Sequence, residues 1–324
     1  MKKILLILLS FLYINICAQS LVDTVQHNKN VILEEFTGIH CTFCPDGHVI
    51  AQAIHSMFPQ RVSLINIHTG SYAQPSIGEP DFRTPFGSAL SSQSNLSGYP
   101  AGTINRHRFS FSQNGGTALS RSNWQSATYD ILSQLSPVNV ASTAQYDTIT
   151  NELFIDIEIY YTDSQNVLYN YLNVAITQDS ILGPQVGAQA WNPNGIVPGP
   201  WQPTYSHQHM LRHFVTGQMG ETLDSITPGN FIHKRFTWQV PYDINDIPVV
   251  IKDLNVVCFV TDQSQEILSG IETSVTILPQ VVSSIYEIIP TKNDNIIYDI
   301  LGKPVKQIKK GVIYIKNNKK FIKY

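Results

Sequence analysis

Cys41 and Cys44, separated by Thr42-Phe43 and followed at once by Pro45, are the residues of this chain whose types and spacing most directly imply chemistry. They stand where a short run of β-favouring residues, Val31–Thr37, gives way through Gly38 to a helical pattern. At such a hand-over the first cysteine meets unpaired N–H groups and the positive end of the helix dipole, which favour its thiolate. The second, inside the first turn, can close a disulfide. Exchange then runs through a mixed disulfide, with Cys41 attacking and Cys44 resolving it. Two other readings stay open: a static disulfide that pins the helix start, and a metal site, which lacks the second cysteine pair of a four-ligand zinc centre.

Other reactive side chains are weaker candidates. His40 and His48 flank the pair and, if protonated, would stabilise a thiolate; the alternative is solvation near a helix start. His207, His209 and His213 would meet a metal if one strand placed the first two on one face; alternating polar positions on a strand explain them equally. Cys258, within the apolar residues 256–260, reads as a buried core thiol. No phosphate loop, glycosidase carboxylate pair or serine nucleophile elbow can be placed, and no cofactor is implied.

The elements that must position the pair follow from periodicity. Val31–Thr37 reads as a strand, and Val49, Ile50, Ala53, Ile54 and Met57 recur at helical spacing before Pro59. Residues 61–68 make the next strand, so the stretch is a βαβ unit with a parallel pair. Residues 69–98 read as a long loop, 101–107 as a strand with 108–111 as its hairpin partner, and 118–135 as a helix. From residue 138 apolar and polar residues alternate, most clearly over 153–160. Further β runs at 171–177, 231–240 and 254–261 indicate an antiparallel sandwich, with 183–206 a surface loop. A small strand-rich unit follows residue 279.

Composition sets the compartment. Residues 1–19 combine Lys2-Lys3, a short apolar run over 4–12 and a small, polar end, the pattern of a secretory signal peptide. That run is too short to span a bilayer, which takes about 20 residues. Cys17 lies near the cleavage region, but the preceding Ile16 is bulky where lipid attachment needs a small residue. Residues 20–290 carry 10 Lys and Arg against 22 Asp and Glu, whereas 291–324 carry 9 Lys and 2 Asp. The acidic body and a basic tail without Arg argue against nucleic-acid binding.

These residues also carry family resemblances. Phe36, Cys41, Cys44 and Pro45 resemble the thioredoxin active-site stretch. The resemblance implies that Glu35 is the buried acid relaying a proton to or from Cys44, and that Pro100 is the cis-proline shaping the substrate groove. Thr42-Phe43 replaces the usual Gly-Pro. Over most of the chain, Glu34-Glu35-Phe36-Thr37-Gly38, Tyr99-Pro100 with Asn105-Arg106, the motif from His207 to Arg212, and residues 256–262 resemble the Omp28-related outer-membrane or surface proteins of Bacteroidetes. That family joins a thioredoxin-like domain to a β-sandwich. Residues 298–303, Gly311, Tyr314-Ile315 and Lys319-Lys320 are similar to a short C-terminal sorting signal of type IX secretion.

The expectation is thus an α/β thioredoxin-like domain followed by an all-β antiparallel sandwich and a short β-rich tail. Its boundaries are a signal peptide at 1–19, the thioredoxin-like domain at 20–136, the sandwich at 137–279 and the sorting tail at 280–324. The protein would be secreted or held at the outer membrane or cell surface. Its expected partners are a protein or peptide thiol or disulfide, the type IX secretion machinery and, peripherally, the outer membrane. The competing expectation is a surface binding or adhesion protein whose cysteine pair is static.

Overall fold

The computed structural model describes residues 20–279, 296–316 and 319–324. The expected signal segment, with Cys17, and residues 280–295 of the expected tail lie outside the described residues. The chain divides into two compact units at Leu278 and Pro279.

In the first unit, β1 (Val31–Thr37) and β2 (Val62–His68) pair in parallel, with helix α1 (Cys44–Met57) as the crossover. All seven residues of each strand are buried, including Glu34 and Glu35, because helices cover one face and a second apolar core the other. The buried stripe of α1 runs through Cys44, Gly47, His48, Ala51 and Ile54. Val49, Ala53 and Met57, expected inside from spacing alone, are exposed. The polar His48 and the small Gly47 disguise the true stripe.

The long loop after β2 contains a helix of its own, α2 (Gly87–Ser94), ended by Asn95 in the left-handed conformation. β3 (Ala101–Ile104) then pairs antiparallel with β1 and with β4 (Leu119–Ser120). Residues 108–111 are therefore not the hairpin partner. Asn105 and Arg106, at φ 51° and 49°, turn the chain off the sheet first. Because 119–120 is strand, helix α3 starts late, at Trp124, and ends at Leu132.

Beyond residue 137 come β5 (Val138–Asp147), β6 (Glu152–Tyr161), β7 (Asn170–Gln178), β8 (Ile181–Pro184), the short helix α4 (Ala188–Trp191), β9 (Thr204–His207) and β10 (Met210–Phe214). After them come β11 (Glu221–Leu223), β12 (Phe231–Gln239), the small pair β13 (Asp243–Ile244) and β14 (Ile247–Pro248), β15 (Leu254–Thr261), β16 (Ile267–Ser274) and β17 (Thr276–Ile277). One sheet runs β16-β15-β7-β10-β2-β1-β3-β4, with β11 beside β7; another runs β12-β6-β5-β17. The inward residues of β6, Leu153, Ile155, Ile157 and Ile159, share a core with Leu172, Val174, Val256 and Cys258. The opposite face of β7 and β15, through Ala175, Val257 and Phe259, packs with Ile32, Phe36 and Ile65.

Strands on either side of Ser136 therefore share one sheet. Met210 pairs with Asn66, and the Asn66 amide donates to the His209 carbonyl at 2.8 Å. The Asn105 carboxamide accepts from the Ile32 amide at 2.7 Å and donates to the Ile267 carbonyl at 3.1 Å. Arg106 donates to both oxygens of buried Glu34, at 2.8 and 2.6 Å.

The second unit holds an antiparallel sheet of β18 (Ile297–Asp299), β19 (Pro304–Val305), β20 (Ile313–Lys316) and β21 (Lys319–Ile322), in the order β19-β18-β20-β21. Asp299 shapes its first turn, its Oδ1 accepting from the amides of Leu301 and Lys303.

Candidate redox site

Cys41 and Cys44 are joined as a disulfide, with their Cα atoms 5.4 Å apart. Cys44 is the first residue of α1 and Pro45 follows in its first turn, where a missing N–H is harmless and the fixed φ suits the helix. The Cys44 amide donates to the Cys41 carbonyl at 3.3 Å, so a tight turn precedes the helix.

Glu35 lies beneath this helix start. It is fully buried, and neither carboxyl oxygen has a hydrogen-bond partner. Burial drives its pKa well above the ordinary carboxyl value, opposed only in part by the charge of Arg121. Gly47 makes this approach possible: a Cβ there would lie 2.5 Å from Glu35 Oε1 and 3.0 Å from Pro100 Cβ. Pro100 follows a cis peptide bond from Tyr99 and leads into β3. Three elements, β1, α1 and the start of β3, thus converge at one glycine.

A polar cluster extends from Glu35. His48 Nε2 is 3.8 Å from Glu35 Oε1 and 2.9 Å from Thr37 Oγ1, while its Nδ1 is 3.1 Å from the Tyr205 hydroxyl. The Asn192 amide donates to the same hydroxyl at 2.8 Å. The ring of His207 lies 6.5 Å from that of His48 and 5.2 Å from that of His68, whose two nitrogens have no hydrogen-bond partner. Burial lowers the pKa of His48 to about 4 and that of His68 to about 3. At neutral pH His48 is therefore uncharged and supplies no positive charge to a thiolate. His40 pairs with Glu79 at 2.9 Å.

The segment expected to be a surface loop, 183–206, is exposed at 189–191 and 198–200, and it also covers the disulfide. Gln185 Nε2 donates to the carbonyls of Gly38 and Cys41, at 3.2 and 3.1 Å, and the Val186 amide donates to Ile39 O at 2.8 Å. Gly187, at φ +81°, approaches so closely that a Cβ would stand 1.9 Å from Thr42 O. Trp191 meets the edge of Phe43 with centroids 5.5 Å apart. Cys41 is consequently only 3 % exposed and Cys44 0 %. The Gly38 and Cys41 carbonyls each accept one backbone amide within the turn, from Cys41 and Cys44, and Gln185 donates to the second lone pair of each. Period and composition carry no trace of such a long-range role, so Gln185, Gly187, Tyr205 and Gly47 were not expected at the site.

The remaining candidates separate. His207 ends β9, His209 sits at φ 52° between strands, and His213 stacks on Trp238 away from both. Among the described residues no group of three or more His, Cys, Asp or Glu is arranged to hold a metal ion. Cys258 is a buried free thiol whose pKa burial raises to about 12. Beside α1 opens a cavity of about 610 Å³, lined by His48, Gln52, Asn66, Asn192, Tyr205 and His209 among others.

A β-rich protein whose long sheet carries a covered disulfide at a helix start is the class that fold and site define. The sequence matches the outer membrane protein Omp28 family over residues 87–276, more than half of the chain, and the protein belongs to that family. Membership places it at the outer membrane or cell surface. The matched span includes Pro100 and the covering segment but begins after Glu35, Cys41 and Cys44. No curated protein matches the sequence. Among solved structures, HBP35 of Porphyromonas gingivalis is similar at 17 % identity with a TM-score of 0.59, covering 91 % of this chain and 97 % of that one. That likeness is one of fold. A domain of the outer membrane lipoprotein Omp28 from the same organism aligns at 16 % identity and TM-score 0.30, over 44 % of this chain and 92 % of that one. Among the described residues no helix is long and apolar enough to cross a membrane.

Proposed function

We propose that this protein exchanges disulfides at the cell surface through Cys41 and Cys44. Residues 20–136 are read as thioredoxin-like and 137–279 as a β-sandwich that packs on it. Glu35 carries the proposal. A buried carboxyl without a hydrogen-bond partner costs stability, and a structural role would be served better by an apolar residue. Kept protonated, it supplies the proton that the Cys44 sulfur needs when the disulfide opens and takes it back when the disulfide closes. Cys41 is the nucleophile, Cys44 the resolving thiol, and Pro100 borders the groove for a protein or peptide thiol. The C-terminal unit, a small Lys-bearing antiparallel sheet, is read as the sorting element presented to type IX secretion machinery.

A second reading has its own observation. Both sulfurs are buried beneath 185–191, as a static disulfide supporting a binding surface would be. A redox titration of the full chain with an insulin-reduction assay separates the two. A pair with a potential above about −300 mV and measurable turnover supports exchange; a pair below that value without turnover supports the static reading.

A further inference from the structure

We propose that His48 and Tyr205 form a proton path joining Glu35 to the cavity beside α1. Glu35 is sealed from solvent, so a proton that it gives or takes needs a route. Among the described residues the basic side chain within 4.0 Å of its carboxyl is His48, with Nε2 at 3.8 Å. That gap exceeds hydrogen-bond length, so the transfer requires a turn of the terminal carboxyl torsion, which is broad in Glu. On the far side of the ring, Nδ1 is 3.1 Å from the Tyr205 hydroxyl, which Asn192 holds by its own donated bond at 2.8 Å. His48, Tyr205 and Asn192 all line the cavity of about 610 Å³. Imidazole suits the task because one nitrogen can accept a proton while the other releases one.

The step balances without any other reactant. Going outward, Glu35 loses its proton to Nε2, Nδ1 passes its own to the Tyr205 oxygen, and the phenolic proton leaves to the cavity; going inward, each transfer reverses. Glu35 ends as carboxylate or acid, and Tyr205 and His48 end neutral, with His48 in its other tautomer; a flip of its ring about χ2 restores the first tautomer and turns the proton taken from Glu35 toward Tyr205. The groups around the path are Thr37 on β1, His68 on β2, His207 on β9, His209 before β10, and Arg121, whose charge acts on Glu35. The path derives its use from the exchange reading, but its existence is testable without a thiol partner.

The test is infrared spectroscopy of the oxidised full chain diluted into D2O. The protonated Glu35 carbonyl band is assigned by its loss in Glu35→Gln, and its downshift times the exchange of the carboxyl proton. Tyr205→Phe and His48→Gln should each slow that exchange at least tenfold. Mere loosening of the packing would admit water and speed it. Wild-type or faster exchange in both folded variants overturns the path, as does the absence of a protonated Glu35 band near neutral pH. If His48→Gln fails to fold, Tyr205→Phe, which keeps the ring, decides alone. An intact path in a protein that accepts no thiol partner would reject the exchange reading and leave the path standing.

Discussion

At the scale of single residues, the site is built on side chains held in uncommon states. Cys41, Cys44, Glu35 and Pro100 were legible because their types and order survive in a resemblance; Gly47 was not, because its role is an absence of atoms. Gly47→Ala would set a methyl against Glu35 Oε1 and Pro100. Overpacking of this kind costs about 1–3 kcal/mol, so the urea midpoint should fall with an unchanged slope. His68 gives a pH signature. Its pKa in the fold, about 3, lies below the unfolded value, so its contribution to stability is complete above the unfolded pKa of about 6.5 and is lost as pH falls through that value. Between pH 6.5 and 5.5, His68→Phe should therefore lose roughly 1 kcal/mol less stability than wild type, as read by urea unfolding at the two pH values. Glu35 has the opposite sign. Its raised pKa means that the stability it gives at low pH declines as pH rises above the unfolded carboxyl value, which makes the difference between variants, rather than the whole curve, the proper readout.

At the scale of elements, the strands were the most readable parts. Val31–Thr37 stands where its apolar run predicts, and β6 keeps its strict alternation because one face meets the core and the other does not. The α1 stripe was misread and the covering role of 183–206 went unseen for one reason: both are set by partners far away in sequence. Gln185 is the clearest case, since its bonds reach residues 144 and 147 positions away. Gln185→Ala removes the donor shared by Gly38 and Cys41 and should free the cover. The rate of disulfide reduction by dithiothreitol, followed by alkylation, should then rise on the order of tenfold, equivalent to about 1.4 kcal/mol of opening free energy. An unchanged rate would mean that the disulfide is reached by another route.

At the scale of the whole molecule, the first unit behaves as one body because a single sheet passes through both halves. Asn105-Arg106 and the motif from His207 to Arg212 were noticed as parts of a resemblance, and their physical meaning is this joint: Arg106 neutralises Glu34, Asn105 ties β1 to β16, and Met210 seats β10 on β2. A change of texture at residue 138 could not reveal a shared sheet, since hydrogen bonding between distant strands leaves no local pattern. Arg106→Ala would strand a buried carboxylate, a loss of about 3–5 kcal/mol, and should lower the stability of the whole unit in one transition rather than melt one half alone. The most direct measurement of exchange is trapping in intact cells, with Cys44→Ser leaving Cys41 free to attack and Cys41→Ser as the control. If the pair exchanges disulfides, the Cys44→Ser protein forms thiol-reversible adducts at the cell surface and Cys41→Ser forms none; an absence of adducts from both variants would rule out exchange and leave the disulfide a structural pin.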